Sequence, residues 1–188
     1  MLIEEKIWLK YSLNTDKVMT AEKISLSKPS ATDGMAVNQL IASCPPLDTN
    51  SVYCNLLQAS HFNETSVAAR TDSGELVGFV SGYIQPNATD TLFVWQVAVG
   101  DSARGQGLAK KMVSSLLERS ICSDVRYIET SITASNQGSW ALFRRLAKEL
   151  GASLEESIMF DKQTHFSGQH DTEHLVRIGP ISQKVAKS

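Results

Sequence analysis

From Ile24 onward the apolar positions of this chain alternate between strand-like and helix-like spacing, which predicts a regular order of elements. "ISLSKPS" predicts a short strand ending at a proline, and "ATDGMAVNQLIASC" a helix with Met35, Val37, Leu40 and Ile41 inward. "PPLDTN" breaks the chain, and "SVYCNLLQASHF" predicts a second helix with Val52, Leu56 and Leu57 on its apolar side. "TSVAAR" and "LVGFVSGYI" predict strands joined by the turn "TDSGE". After the turn "QPNATD", the run "TLFVWQVAVG" is too continuously apolar for a strand with one wet face, so it is expected at the centre of a sheet. "GLAKKMVSSLLERSI" predicts an amphipathic helix, with Leu108, Met112, Leu116 and Leu117 inward and Lys110, Lys111 and Glu118 outward. "RYIETSIT" predicts a strand, and "NQGSWALFRRLAKELG" a helix closed by Gly151. Strands around "SIMFD" and "EHLVRIG", separated by the polar loop "KQTHFSGQ", complete the order. The result is β-α-α-β-β-β-α-β-α-β-β, an α/β fold with a mixed sheet and helices on its faces. One domain over 24–180 is expected, with tails at 1–23 and 181–188.

Composition narrows the function. A net charge of −2 argues against a general nucleic-acid binder or a binder of anionic membranes. Cys44, Cys54 and Cys122 lie far apart without paired spacing, which reads as buried thiols in a reducing compartment. The start "MLIEEKIWLK" carries acids where an export signal wants bases, and no apolar run reaches membrane-span length. The cytoplasm is the expected location.

The chemistry begins at "VWQVAVGDSARGQGLAKKMV". A strand, a glycine turn and a helix together make a phosphate cradle, because helix N-terminal N–H groups and the helix dipole favour anions. A Walker loop does not fit, since the lysines are not followed by Ser or Thr. A dinucleotide fingerprint does not fit either, since Lys110 stands where the third small residue belongs. The pattern R-x-x-G-x-A, formed by Arg104, Gly105, Gln106, Gly107, Leu108 and Ala109, does fit. It resembles motif A of the GNAT superfamily of acetyl-CoA-dependent N-acetyltransferases. The plainer alternative is a βα turn without a ligand. Asn136, Ser139, Ala141, Leu142 and Phe143 resemble motif B of the same superfamily, although Asn136 equally suits a helix N-cap. Where many members carry a tyrosine general acid, Phe143 has no proton to give. The resemblance implies a mostly antiparallel sheet of about six to seven strands flanked by about four helices. It also implies acetyl-CoA as co-substrate, held by the Val97, Ala98 and Val99 strand, the Arg104–Ala109 turn and Asn136, Ser139 and Phe143.

A superfamily names the donor and not the acceptor. "PLDTNSVY", "FVSGYIQP", "FVWQVAV", "ARGQGLAKKM", "NQGSWALFRRLAKELGA" and "LVRIGP" closely resemble the L-2,4-diaminobutyrate acetyltransferases of ectoine biosynthesis. That likeness implies acetylation of the γ-amine by direct attack in a ternary complex, in a homodimer without a metal. The residues suit the substrate. Two ammonium groups call for carboxylates, and a short stem calls for an aromatic wall. Asp48, Glu129 and Glu173 supply the charge, with His170 beside them, and Trp95 and Tyr53 supply the wall. Glu129 is the expected base, and the N–H of Val97 or Val99 the expected oxyanion donor. Plainer readings stand beside these: Asp48 as a helix cap, Trp95 as core, Tyr53 as a half-buried helix residue, Glu129 as the polar face of a strand, and His170 and Glu173 as loop surface. Neither Cys54 nor Cys122 has a helper that would make it a nucleophile. The histidines and acids between His165 and His174 fit no metal-ligand spacing. Other acceptor amines, and a regulatory protein that binds acetyl-CoA without turnover, are the competing functions.

Overall fold

In the computed structural model, which describes residues 22–182, the apolar run after the second turn sits in the middle of the sheet. The strands are β1 (Ile24–Ser27), β2 (Val67–Thr71), β3 (Leu76–Gln85), β4 (Ala88–Val99), β5 (Tyr127–Thr133), β6 (Leu154–Phe160) and β7 (Glu173–Ile178). The helices are α1 (Gly34–Ala42), α2 (Val52–Ser60), α3 (Leu108–Leu117) and α4 (Gln137–Leu150). One seven-stranded sheet runs in the order β1-β2-β3-β4-β5-β7-β6. Every neighbouring pair is antiparallel except β4 with β5. The predicted element order, the mostly antiparallel sheet and the four helices therefore all stand. The expected tails lie outside the described residues save for Glu22, Lys23, Ile181 and Ser182. Ile181 is buried, and its N–H bonds the Arg126 carbonyl at 2.8 Å.

Two features of β4 shape the molecule. First, Ser81 of β3 pairs with Gln96 and Gly82 pairs with Val94, so Trp95 is the extra residue of a β-bulge. The bulge shifts the strand's phase. Before it, Leu92 and Val94 face the α3/α4 core; after it, Val97 and Val99 do. Ala98 instead packs with Val37, Ile41 and Phe79 beneath α1. Second, β4 pairs with β5 only from Thr91–Tyr127 to Phe93–Glu129, while it stays paired with β3 as far as Val99. Beyond Phe93 the parallel strands separate and leave a wedge.

Two helix faces differ from expectation. Met35 points to solvent, while Val37, Leu40 and Ile41 are buried as predicted. In α2 the fully buried face carries Asn55, Gln58 and Ala59, and Leu56 and Leu57 are only half-buried. A polar helix face can turn inward only where its groups find partners. Here most do: Asn55 Nδ2 donates to Gln58 Oε1 at 3.0 Å, and Asn38 Nδ2 of α1 donates to Asn55 Oδ1 at 2.9 Å, while Gln58 Nε2 is buried without a partner.

Candidate active site

The wedge beside β4 is a cleft of about 670 Å³. One wall is Val97 and Val99; the floor of its outer end is Arg104, Gly105, Gly107, Leu108 and Ala109. The opposite wall is the start of α4, with Asn136, Ser139 and Leu142. Gly105 and Gly107 have φ of +74° and +71°, a backbone region costly for side-chain-bearing residues. That turn leaves the first N–H groups of α3 directed out of the helix end, where they have no intrahelical carbonyl. The Val99 carbonyl points into the wedge, where it accepts from Arg104 Nε at 3.1 Å and from the Cys44 thiol at 3.3 Å. A residue's N–H and C=O project to the same side of a strand, so the Val97 and Val99 N–H groups line the wedge too. Asn136 caps α4 by accepting the Ser139 N–H at 3.1 Å. Charge at the turn is tempered: Arg104 pairs with Asp101 at 2.6 Å, and Lys110 pairs with Glu149 of α4 at 3.1 Å.

On the α1/α2 face of the same strand lies a second set of residues. Trp95 is 42% exposed and meets the Tyr83 ring edge-on at 6.3 Å. Register places Phe93 of β4, Glu129 of β5 and Arg177 of β7 on one face, followed by Ser131 beside Leu175 and Thr133 beside Glu173. Glu129 is buried, with one carboxylate oxygen paired to Arg177 and the other accepting from Gln85 Nε2 at 2.5 Å. The Arg177 guanidinium stacks 3.8 Å above the Tyr127 ring. Burial, and the Glu129 charge next to it, raise the Tyr83 hydroxyl.

Two loops close over this floor. Asp48 Oδ2, from the α1–α2 loop, meets His170 Nε2 at 3.0 Å. His170 Nδ1 lies 2.8 Å from the Asp171 carbonyl. A carbonyl only accepts, so Nδ1 carries the proton. The backbone contact at Asp171, and then Asp48, raise the His170 pKa against the opposing effect of burial. Ligating atoms of Asp48, His170 and Glu173 all lie within 4.8 Å of one another. Burial raises the Glu173 carboxyl, opposed by its hydrogen bond to Ser131 and by the His170 charge.

Several expected site residues fall elsewhere. Phe143 is 2% exposed in the α3/α4 core and does not border the cleft; its neighbour Leu142 does. Ala98 faces away from the cleft, for the phase reason given above. Gln106 folds back to bond the Ser102 carbonyl at 3.1 Å. Asp48 is not the α2 cap, because Ser51 accepts the Cys54 N–H at 3.1 Å and does that job. Tyr53 is 70% exposed on α2, so its plainer reading as a half-buried residue fails. His174 leaves the acidic group to pair with Glu156 at 2.9 Å. Burial pushes the Cys122 thiol up to about 11 and raises Cys54, so neither is an activated nucleophile. Tyr83, Gln85, Gln96 and Arg177 were not singled out from sequence, and Cys44 was expected only as a buried thiol. Each enters through a strand pairing or loop contact that no local motif announces.

A strand that splays from its parallel neighbour above a glycine turn, with an acid-lined floor on the other face, defines an N-acetyltransferase of the GNAT type. The Acetyltransferase (GNAT) family model matches residues 35–147. Within that family the chain belongs to the L-2,4-diaminobutyric acid acetyltransferases. It is 58% identical to the L-2,4-diaminobutyric acid acetyltransferase of Methylotuvimicrobium alcaliphilum over 158 residues, covering 84% of this chain and 91% of that one. The Halomonas elongata enzyme of the same name is 48% identical over 86% of this chain and 83% of its own length. The fold is also similar to that of diaminobutyrate acetyltransferase EctA from Paenibacillus lautus in complex with its substrate L-2,4-diaminobutyric acid and coenzyme A. That likeness has a TM-score of 0.81 at 37% identity, over 88% of this chain and 99% of that one.

Proposed function

We propose that the chain transfers acetyl from acetyl-CoA to the γ-amine of L-2,4-diaminobutyrate, as a homodimer in the cytoplasm and as a step of ectoine synthesis. The observation that carries the chemistry is the double use of β4. One of its faces borders a cleft ending in a helix N-terminus, and the other borders a floor of carboxylates. The pyrophosphate of the cofactor meets the N–H groups at Gly105–Ala109, and the pantetheine arm lies along Val97 and Val99. Asp48, Glu129 and Trp95 receive the short diamino acid.

The neutral γ-nitrogen attacks the thioester carbon and forms a C–N bond. The oxyanion takes the Val97 or Val99 N–H. The C–S bond then breaks, and the CoA thiolate leaves with the electron pair. A thiol is acidic enough, with a usual pKa of about 8.5, to depart without a general acid. This suits the position of Phe143, buried away from the cleft.

The ammonium proton goes to Glu173, directly or through one water. Glu129, the base expected from sequence, pairs with Phe93. It therefore lies some four residues, about 10–13 Å, below the Val97 level. Accepting a proton would also cost it the Arg177 ion pair. Glu173 stands opposite Thr133 at the upper end of β5, and its raised pKa suits a proton acceptor near neutral pH.

Free thiol release from acetyl-CoA in the presence of different amines tests this reading. Diaminobutyrate is the expected best acceptor, ahead of lysine and spermidine. Glu173→Gln is expected to lower kcat about 100-fold with little change in the diaminobutyrate KM, and Glu129→Gln to act chiefly on that KM. Faster release with spermidine overturns the substrate assignment, and near-native kcat in Glu173→Gln overturns the base.

A further inference from the structure

The β4 bulge sends two consecutive side chains, Trp95 and Gln96, to the α1/α2 face, whereas a regular strand would send only one. Trp95 is exposed on that face; Gln96 is buried. Gln96 uses both ends of its amide. Its Nε2 donates to the Asp48 backbone carbonyl at 2.9 Å, and its Oε1 accepts from Asn50 Nδ2 at 2.8 Å. Asn50 is anchored in turn, because its carbonyl accepts from Asn38 Nδ2 of α1 at 2.9 Å. Asn38 also donates to Asn55 of α2, which donates to Gln58. An unbroken series of amides therefore runs from the buried face of α2, through α1 and the Asp48–Asn50 loop, to the bulge. The chain spends buried surface on amides where apolar side chains would serve stability more simply.

We infer that Gln96 is a positioning residue for the amine acceptor: it fixes the Asp48 loop, and with it the Asp48–His170 pair, at a set distance from Trp95. The inference rests on the acceptor site proposed above. Asp48 is highly exposed at its side chain, so its carboxylate is placed by the backbone that carries it. That backbone is gripped at Asp48 and Asn50 by one glutamine, whose neighbour in sequence is the aromatic wall. Misplacing a binding carboxylate by about 1 Å is costly for a small diamino acid. The cofactor cleft, lined by Val97, Val99 and the α3 and α4 termini, meets this loop at Cys44–Leu47, ahead of the gripped Asp48 and Asn50.

Gln96→Leu is similar in size and removes both hydrogen bonds. It is expected to raise the diaminobutyrate KM about tenfold while the acetyl-CoA KM stays within twofold. Asn50→Asp, at a partly exposed position, replaces the donor facing Gln96 Oε1 and keeps the core intact. It is expected to give the same split at about threefold, and it decides the matter if Gln96→Leu does not fold. The NMR titration of His170 in the cofactor-free protein supplies a readout independent of turnover. Its midpoint is expected to fall in Gln96→Leu toward the ordinary histidine value, because Asp48 is no longer held against it; Glu173 remains beside the ring. A folded variant with both KM values unchanged, or with both raised together, overturns the inference, as does an unmoved His170 midpoint. If the unaltered protein acetylates no diaminobutyrate, the function proposed above fails. The His170 midpoint then still tests whether Gln96 holds the loop.

Discussion

His170 and Asp48 lie 122 residues apart in the chain and meet at 3.0 Å. With Nδ1 holding its proton against the Asp171 carbonyl, Nε2 attracts the Asp48 carboxylate only when it is protonated as well. The backbone contact and the carboxylate raise the native pKa of His170 above the ordinary 6.5. The sign of the pH effect follows from linkage. A histidine with a raised native pKa gives a stabilising contact that is complete below pH 6.5 and is lost as pH rises through the higher native value. Proton NMR of the ring is expected to show a midpoint above 6.5, and Asp48→Asn is expected to lower it. A midpoint at or below 6.5 in the unaltered protein contradicts the pair. The two residues were readable from sequence as candidates for a cation site. Their contact was not, because it is made by two loops that only the closed sheet brings together.

At the scale of elements, the turn from β4 into α3 is the proposed cofactor end. The residue type at Gly107 matters because its φ of +71° places the last N–H groups before the helix in the cleft. Gly107→Val puts a β-branched side chain in a region it strongly disfavours. The acetyl-CoA KM is expected to rise at least tenfold, and the diaminobutyrate KM to change little; steady-state kinetics with each substrate varied in turn reads both. An unchanged acetyl-CoA KM places the pyrophosphate elsewhere. Element boundaries and the glycine turn were legible because period and backbone need are local properties. The bulge at Trp95 was not. It leaves no signature in an apolar run, and it makes Ala98 face α1 although it lies between two cleft residues. The polar face of α2 was hidden for a similar reason, since Asn55 bonds both Asn38 of α1 and Gln58 of its own helix.

At the scale of the molecule, the proposed function has one strand serve two substrates. The parallel pairing of β4 and β5 ends after three registers, and the sheet opens there into the cleft beside Val97 and Val99. β5 and β7 continue across the other face and carry Glu129, Ser131, Glu173 and Arg177. The family was legible in sequence because its motifs lie in short stretches at the ends of elements. The choice between Glu129 and Glu173 was not, because it depends on which level of the sheet each carboxylate occupies. In the proposed chemistry that level also sets which nitrogen of the acceptor reaches the thioester. NMR of the product formed from acetyl-CoA and L-2,4-diaminobutyrate is the most direct test. The acetyl group is expected on the γ-nitrogen alone; acetyl on the α-nitrogen, or a mixture of the two, contradicts the proposed function.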